Sequence, residues 1–466
     1  MANHHVAIVG AGLGGLRAAE QLRAAGHAGP ITVIGAEPHL PYNRPPLSKE
    51  LLAHELADAE AAPEADADDL AALHERVAFR RRASVDDVTF RLGAAVAATD
   101  LSAGTLTLSD GDTVRFQGLV AATGLRPRRL AIPGPDGPGS GRHVLRTLDD
   151  LAGLRAELRA ALRRAAAPTV LVSASGDPSS PAPLAARAAV AHAGLTRPRV
   201  VVVGGGFVGC EVACTVRALG GDVTVVEPLG PPMLRVLGPE LARAIQRAHE
   251  RDGIGFVIGR AVVAYTGEDR VTGVILADGP DAAPARTVLP AGTALPADLV
   301  VEAIGSIPNT EWLGGNGLDL TDGVLCGNDL IAVTDADGVP VAAVGDVARF
   351  PNPRFDDVPR RVEHWSMPMD TARRAAATLH AKLDGVAIDQ NPFCPLPSFW
   401  SDQGELRLQS FGAPGLGDDI EIDGDLRAPG QGVMARYRRG GRLVGGVAVN
   451  LPPTRHRELR EALLRQ

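Results

Sequence analysis

Two short glycine-rich runs carry the first chemical signal: Gly10-Ala11-Gly12-Leu13-Gly14-Gly15 and Gly204-Gly205-Gly206-Phe207-Val208-Gly209, followed further on by Glu37 and Glu227 respectively. Both have the G-x-G-x-x-G spacing. One glycine permits a tight turn, one lets the backbone approach a pyrophosphate, and one lets a helix pack on a strand with no Cβ between them. A helix that starts in such a loop offers free N–H groups and the positive end of its dipole to a phosphate. A carboxylate at the end of the next strand accepts hydrogen bonds from a ribose 2′-hydroxyl and repels a 2′-phosphate. A single loop of this kind also fits an ordinary glycine turn, but two complete units in one chain point to two bound dinucleotides.

The elements that must position these loops can be read around them. Apolar runs predict a strand over 6–9, a helix over 13–25 and a strand over 31–34. The second copy repeats the order, with a strand over 200–203, a helix through 219 and a strand over 223–226. Residues 119–122 read as a buried strand that ends in Thr123-Gly124, and 300–305 repeat that pattern up to Gly305. The Pro/Gly-rich run 132–141 suits a crossing between domains. An amphipathic helix is expected over 151–164, then an insertion or linker over 168–198 that is partly helical over 182–193. The Ala- and acid-rich stretch 56–70 reads as a solvated loop or helix edge. A β-meander is expected over 260–299, and a strand over 341–347 that ends in Gly345-Asp346. Residues 371–466 begin as a helix and continue as hairpins, including 432–437 and 442–449, which makes a small α+β unit.

At 466 residues the chain has length for about three domains. Its formal net charge of −8 argues against a nucleic-acid binder, which needs clustered positive charge. The first strand follows Met1 too closely for a signal segment, and no apolar run reaches membrane-spanning length, so a cytoplasmic protein without a membrane anchor is expected. Cys210, Cys214, Cys326 and Cys394 show neither Cys-x-x-Cys nor zinc spacing. Cys210 and Cys214, four apart on a helix, read as small packing residues rather than as a redox pair. Lysine occurs only at 49 and 382 in an otherwise arginine-using chain, which makes Lys49 conspicuous.

Together with both loops, Pro45-Pro46-Leu47-Ser48-Lys49, Ala122-Thr123-Gly124 and Gly345-Asp346 give the chain a resemblance to the two-dinucleotide flavoprotein disulfide-reductase superfamily. More narrowly it resembles the FAD-dependent, NADH-linked ferredoxin reductases that serve haem monooxygenases and ring-hydroxylating dioxygenases. The added matches are Leu145-Arg146-Thr147-Leu148-Asp149-Asp150, Ile307-Pro308-Asn309, Val362-Glu363-His364-Trp365 and Phe399-Trp400-Ser401-Asp402-Gln403, in order over nearly the whole chain. The resemblance implies an α/β fold with two Rossmann-like dinucleotide-binding domains and a small C-terminal α+β domain. It sets an FAD domain at 1–125 and 307–366, an NAD domain at 126–306 with an insertion near 165–197, and a C-terminal domain at 367–466.

It also implies roles. Gly10, Gly12, Gly14 and Gly15 would hold the FAD pyrophosphate, Glu37 the adenosine ribose, Arg44 the adenine or phosphate region and Val96 the adenine side. Thr123, Gly124 and Gly305 are further cofactor contacts, Arg146 reaches FAD, Asp346 holds the ribityl chain, and Trp365 and Trp400 line the isoalloxazine. Gly204, Gly206, Val208 and Gly209 would bind the nicotinamide dinucleotide. Glu227 would then select NADH over NADPH, with Arg235 as the nearby cation that softens the choice. Lys49, paired with Glu211, is expected beside the flavin N5 edge as the catalytic pair. A reduced flavin gains negative charge that an ammonium favours, and a carboxylate limits the cost of holding that ammonium away from water. No metal is expected.

The implied activity is hydride transfer from NADH to flavin, followed by single-electron delivery to a ferredoxin-type iron–sulfur carrier. A dithiol relay would need a Cys-x4-Cys pair ahead of the lysine, and a peroxidase or oxidase one early cysteine. Tyr42-Asn43-Arg44-Pro45 stands there, and no cysteine precedes Cys210. The long stretch 171–197 and the run Ser366-Met367-Pro368-Met369 depart from the family pattern. They keep two alternatives open: a repurposed flavoenzyme with a closed pocket over a small molecule, and a non-catalytic flavin- and NADH-dependent interaction protein. An acidic ferredoxin would dock on an arginine cluster, the choices being 80–82, Arg126 with Arg128 and Arg129, Arg360-Arg361, or Arg436 with Arg438 and Arg439. A monomer or homodimer is expected.

Overall fold

Val6–Val9 is buried at every position, the pattern of a strand covered on both faces, and it lies in the middle of a parallel sheet. In a computed structural model, which describes residues 3–54, 56, 67–166, 197–277, 292–334, 338–387 and 389–465, five parallel strands form that sheet. Their spatial order is Val341–Ala343, Gly118–Ala121, Val6–Val9, Ile31–Ile34, Thr89–Arg91. Val9 pairs with both Ile34 and Ala121, so the carboxyl ends of three strands share one crest, where Gly10 leaves. A three-stranded antiparallel sheet, Val96–Asp100, Thr105–Leu108 and Thr113–Arg115, is attached to this unit.

The second unit repeats the plan. Its parallel strands run Gly255–Ile258, Asp222–Glu227, Arg199–Val203, Leu299–Glu302, Arg142–His143, and its added antiparallel sheet is Val262–Thr266, Gly273–Leu276 and Ala294–Pro296. Alternation along one strand divides two cores: Val200 and Val202 face one, Val201 and Val203 the other. The chain enters and leaves this unit through Leu125–Pro127 and Ser306–Pro308, which pair antiparallel with each other. That double crossing holds the mouths of the two sheets side by side.

The C-terminal sheet is antiparallel, in the order Ser398–Gln403, Leu406–Gly412, Arg442–Val449, Val433–Arg439, Asp419–Gly424. One face packs Leu408, Val433, Tyr437 and Val447 on Leu237, Leu241 and Ile245 of helix Leu234–Arg251, and the Tyr437 hydroxyl donates to the Leu237 carbonyl at 2.8 Å. The other face is closed by Leu459 and Leu463 of helix Pro453–Leu464.

Three expectations change. Helix Met367–Asp384, grouped with the C-terminal unit by sequence, buries Met367, Ala372, Ala375, Ala376 and Leu379 in the first core, against helix Leu13–Ala24. Its alanine-rich face suits close helix contact, so the C-terminal packing unit starts at Ser398–Gln403. Leu56, read as the start of a solvated stretch, is buried with Leu51, Leu52, Leu73 and Val77, because helix Ala67–Val77 turns Leu73 and Val77 back onto it. The meander and the final hairpins stand, but the strand expected over 341–347 stops at Ala343 and a 3-10 turn, Gly345–Val347, takes over. The insertion over 168–198 and its helix at 182–193 lie almost wholly outside the described residues. Among the described residues no helix is long and apolar enough to cross a membrane.

Candidate active site

The two glycine loops share the same backbone turn at their first and last glycines. Gly10 and Gly204 have φ of +113° and +106°, and a Cβ on either would meet a carbonyl oxygen, of Ala122 at 2.2 Å or of Ala303 at 2.3 Å. A Cβ on Gly15 would strike the Gly10 carbonyl, and one on Gly209 the Gly204 carbonyl at 2.1 Å. The middle glycines differ: the nearest atom to a Cβ on Gly12 is Arg44 Nη2 at 4.0 Å, and nothing lies within 4 Å of one on Gly206. These two residues cap helices Leu13–Ala24 and Phe207–Ala218 with extended backbone and no side-chain hydrogen bond. The first N–H groups of both helices are therefore left to an outside acceptor.

Both open positions face one cavity of about 1260 Å³. Its wall holds Gly10, Gly12, Gly14, Glu37, Arg44, Lys49 and Val96 from the first part of the chain, and Thr123, Gly124 and Arg146 from the crossing region. Gly206, Val208, Glu211 and Gly305 come from the second unit, Asp346 and Trp365 from the return to the first, and Trp400 from the C-terminal sheet. Five expected residues are not on the wall. Gly15, Gly204 and Gly209 serve the packing just described. Glu227 sits behind the second loop, where its Oε2 accepts from Gly205 N at 2.8 Å and its Oε1 from Leu229 N at 2.9 Å. Arg235 is exposed on helix Leu234–Arg251, whose next residue, Val236, lines the cavity instead.

At the first loop's end, Glu37 is shared between two donors, Arg44 Nη2 and the Tyr42 hydroxyl, each at 2.5 Å. Burial raises the Glu37 pKa, but the Arg44 charge and both hydrogen bonds outweigh it and hold it below the usual carboxylate value. Arg44 also donates to the Arg146 carbonyl at 2.7 Å, which ties this pair to the crossing region. Thr147 and Asp150 exchange hydrogen bonds of 2.9 and 3.0 Å in the manner of a capping box at the start of helix Leu148–Ala166. That cap fixes Arg146, whose Nη2 lies 3.3 Å from Asp346 Oδ2. Burial pushes the Asp346 pKa up and the Arg146 charge opposes it. Asn309 explains the Ile-Pro-Asn motif: it donates to the Thr123 carbonyl at 3.1 Å and its own carbonyl accepts from the Thr123 hydroxyl at 2.6 Å.

Between the two loops lies a buried charge network. Lys49 Nζ is 3.2 Å from Glu211 Oε1 and 3.9 Å from Asp402 Oδ2. Glu211 accepts hydroxyl donors on both oxygens, Ser401 at 2.6 Å on Oε1 and Ser48 at 2.5 Å on Oε2. Gln403 donates to Ser401 at 3.0 Å, and its Oε1 lies 2.8 Å from His249 Nε2. Sequence reasoning named Lys49 and Glu211 but missed Ser48, Ser401 and Gln403 as their supports, although all three stand inside or beside motifs it singled out.

The remaining wall is aromatic. Trp365 and Trp400 meet edge to face at 5.3 Å and are 43 % and 36 % exposed. Phe399 sits 4.7 Å from both the Phe207 and His364 rings. Burial pushes the His364 pKa down to about 4. Cys210 and Cys214 are free thiols off the cavity wall, and burial pushes Cys214 up to about 12 and Cys210 well above its ordinary value, so neither offers a thiolate near neutral pH.

Comparison with known proteins agrees with this geometry. Residues 4–375 match the pyridine nucleotide-disulphide oxidoreductase family and residues 398–466 the reductase C-terminal family. The ferredoxin–NAD(+) reductase component of the p-cumate 2,3-dioxygenase system of Pseudomonas putida is 32 % identical, over 96 % of this chain and 90 % of that protein. Putidaredoxin reductase of Pseudomonas putida is 31 % identical over 97 % and 90 %. The crystal structure of a covalent putidaredoxin reductase–putidaredoxin complex superposes with a TM-score of 0.77 at 28 % identity, covering 100 % of this chain and 94 % of that one.

Proposed function

The chain belongs to the pyridine nucleotide-disulphide oxidoreductase family, among the ferredoxin reductases of oxygenase systems, and on that premise we propose that it oxidises NADH through FAD and delivers single electrons to a ferredoxin-type iron–sulfur protein. The observation that carries the proposal is that both open glycines, Gly12 and Gly206, and the Lys49–Glu211 pair all face one cavity. At about 1260 Å³ it exceeds the roughly 300–1,000 Å³ of a pocket for one small ligand and suits two dinucleotides meeting.

The residues present fit FAD at the first loop. An uncapped helix end above Gly12 would take the pyrophosphate, Glu37 a ribose hydroxyl, and Arg146 with Asp346 the chain leading toward the flavin. Gly206 and Val208 would take the nicotinamide dinucleotide. Glu227, fixed by two backbone N–H groups, would place negative charge behind the loop and oppose a 2′-phosphate. When bound, FAD supplies the redox group that accepts two electrons with a hydride and releases them one at a time.

The chain's own groups do the rest. Lys49 brings a positive charge to the region between the loops, where negative charge develops on reduction, and Glu211 offsets the cost of keeping that ammonium from water. Ser48 and Ser401 hold Glu211 in place, so the ammonium is aimed in advance. Hydride transfer needs stacking and exclusion of water rather than a strong acid or base. Phe399, Phe207 and His364, neutral above pH 4 or so, give a dry wall for that step. The exposed Trp365–Trp400 edge leaves one side open to a protein acceptor, unlike a pocket closed over a small molecule. The reading sets the enzyme in the cytoplasm, with NADH as reductant.

A steady-state assay with NADH, a two-iron ferredoxin and cytochrome c as final acceptor tests the proposal. Cytochrome reduction should depend on ferredoxin; equal rates without it would overturn the assigned acceptor.

A further inference from the structure

His27, His380 and Asp384 converge at a place remote from the redox cavity and used by none of its chemistry. Their ligand atoms all lie within 4.8 Å of one another. Helix Leu13–Ala24 spans about 18 Å, with Gly12 at its cavity end and His27 just beyond the other. Helix Met367–Asp384 runs beside it, with Pro368 at the cavity and His380 and Asp384 one turn apart at the far end.

The backbone holds His27 firmly. Gly26, at φ +98°, turns the chain, and His27 N then donates to the Leu22 carbonyl at 3.0 Å. Arg23 donates to the His27 carbonyl at 2.7 Å. The His27 residue is 3 % exposed, and its Nε2 is buried with no hydrogen-bond partner. A buried imidazole with a bare nitrogen, grouped with a second imidazole and a carboxylate, has the donor set of a metal site. Across from it, His380 Nδ1 lies 2.8 Å from Asp384 Oδ2, yet that nitrogen satisfies no hydrogen-bond geometry.

We infer that His27, His380 and Asp384 form a site for a divalent transition metal of the zinc type, which staples the far ends of the two helices. Two imidazoles and one carboxylate suit such an ion rather than calcium or magnesium, which prefer all-oxygen shells. Side-chain rotation would bring the present separations, 2.8 Å between His380 Nδ1 and Asp384 Oδ2 and at most 4.8 Å within the set, to the about 3.3 Å edges of a tetrahedron with 2.0–2.1 Å bonds, and water would complete the fourth position through the partly exposed His380 and Asp384. Arg23 is paired with Asp87 at 2.8 Å. No local spacing in the sequence marks the site, since its residues come from the two ends of the first core.

The test is titration of chelator-treated, FAD-loaded protein with zinc chloride, read by calorimetry and by melting temperature. The expected result is one zinc per chain and a raised melting temperature. His380→Gln and Asp384→Asn should each weaken binding by at least the about 10–100-fold that even outer-shell changes cost, with metal-free melting temperatures close to that of the parent. His456→Gln, on helix Pro453–Leu464 away from this cluster, should bind as the parent does. No one-to-one binding, or binding unchanged in His380→Gln, would overturn the site.

Discussion

Lys49 Nζ stands 3.2 Å from Glu211 Oε1, in a pair whose side chains are only 12 % and 7 % exposed. Each comes from a different nucleotide unit, so the pair forms only when the two units close on each other. Ser48 from the first unit and Ser401 from the C-terminal sheet both donate to Glu211, so all three units contribute to placing one ammonium.

Replacing that ammonium without changing the chain's reach, as in Lys49→Met, should slow reduction of the bound flavin by NADH about 10- to 100-fold, the equivalent of about 1.4–2.8 kcal/mol. Anaerobic flavin bleaching measures it directly. A rate equal to that of the parent would remove Lys49 from the mechanism.

The glycines separate the two nucleotide sites. Gly12→Ala places a methyl where the fold leaves open space, so the protein should fold but lose FAD affinity. Gly206→Ala should keep FAD and raise the KM for NADH. Gly209→Ala, with a Cβ 2.1 Å from the Gly204 carbonyl, should instead lower the melting temperature. FAD content, KM and thermal melts of the three variants check this; FAD loss in Gly206→Ala would reverse the assignment of the loops.

Much of this was legible in the sequence because it is local. The loops, their strands and the first-to-last order of motifs are runs of neighbouring residues, and Lys49 stood out by residue type. The supports of Glu211 were not legible: Ser48, Ser401 and Gln403 are ordinary polar residues that matter only after three units assemble. Glu227 was legible as an acid after a strand, but the two backbone N–H groups that hold it come from loop geometry. Helix Met367–Asp384 was read with the segment that follows it because chain proximity suggested so, whereas its alanine face matches helix Leu13–Ala24, far away in sequence.

Coenzyme choice should follow charge at Glu227. Glu227→Gln keeps an acceptor oxygen for one of the two loop N–H groups, gives up the other, and removes the repulsion of a 2′-phosphate, so kcat/KM for NADPH relative to NADH should rise about tenfold, one step of about 1.4 kcal/mol. An unchanged ratio in steady-state assays would place the selection elsewhere.

His364 gives a pH signature. Its folded pKa of about 4 lies below the ordinary 6.5, so between those values the unfolded chain holds a proton that the folded chain does not. Stability is full above about pH 6.5 and falls as the pH drops toward about 4, by at most roughly 3 kcal/mol from this residue. His364→Phe, which keeps a ring against Phe399, should lose less stability between pH 7 and pH 5 than the parent does. Equal losses in denaturation curves would assign the acid sensitivity to other groups.

Of the arginine clusters offered to an acidic ferredoxin, Arg126 and Arg360-Arg361 reach the cavity wall, while Arg82 instead neighbours Glu20 behind the first sheet. Ferredoxin reduction should fall at least about tenfold from low to high salt, with flavin bleaching by NADH little changed. A salt-insensitive transfer would argue for apolar docking on the Trp365–Trp400 edge.

The most direct measurement mixes the FAD-loaded protein with NADH anaerobically in a stopped-flow instrument and then adds an oxidised two-iron ferredoxin. Fast bleaching of the flavin, followed by reduction of the ferredoxin with return of the yellow colour, is the predicted result. Fast bleaching with no transfer to any ferredoxin tried, or no bleaching at all, would contradict the account.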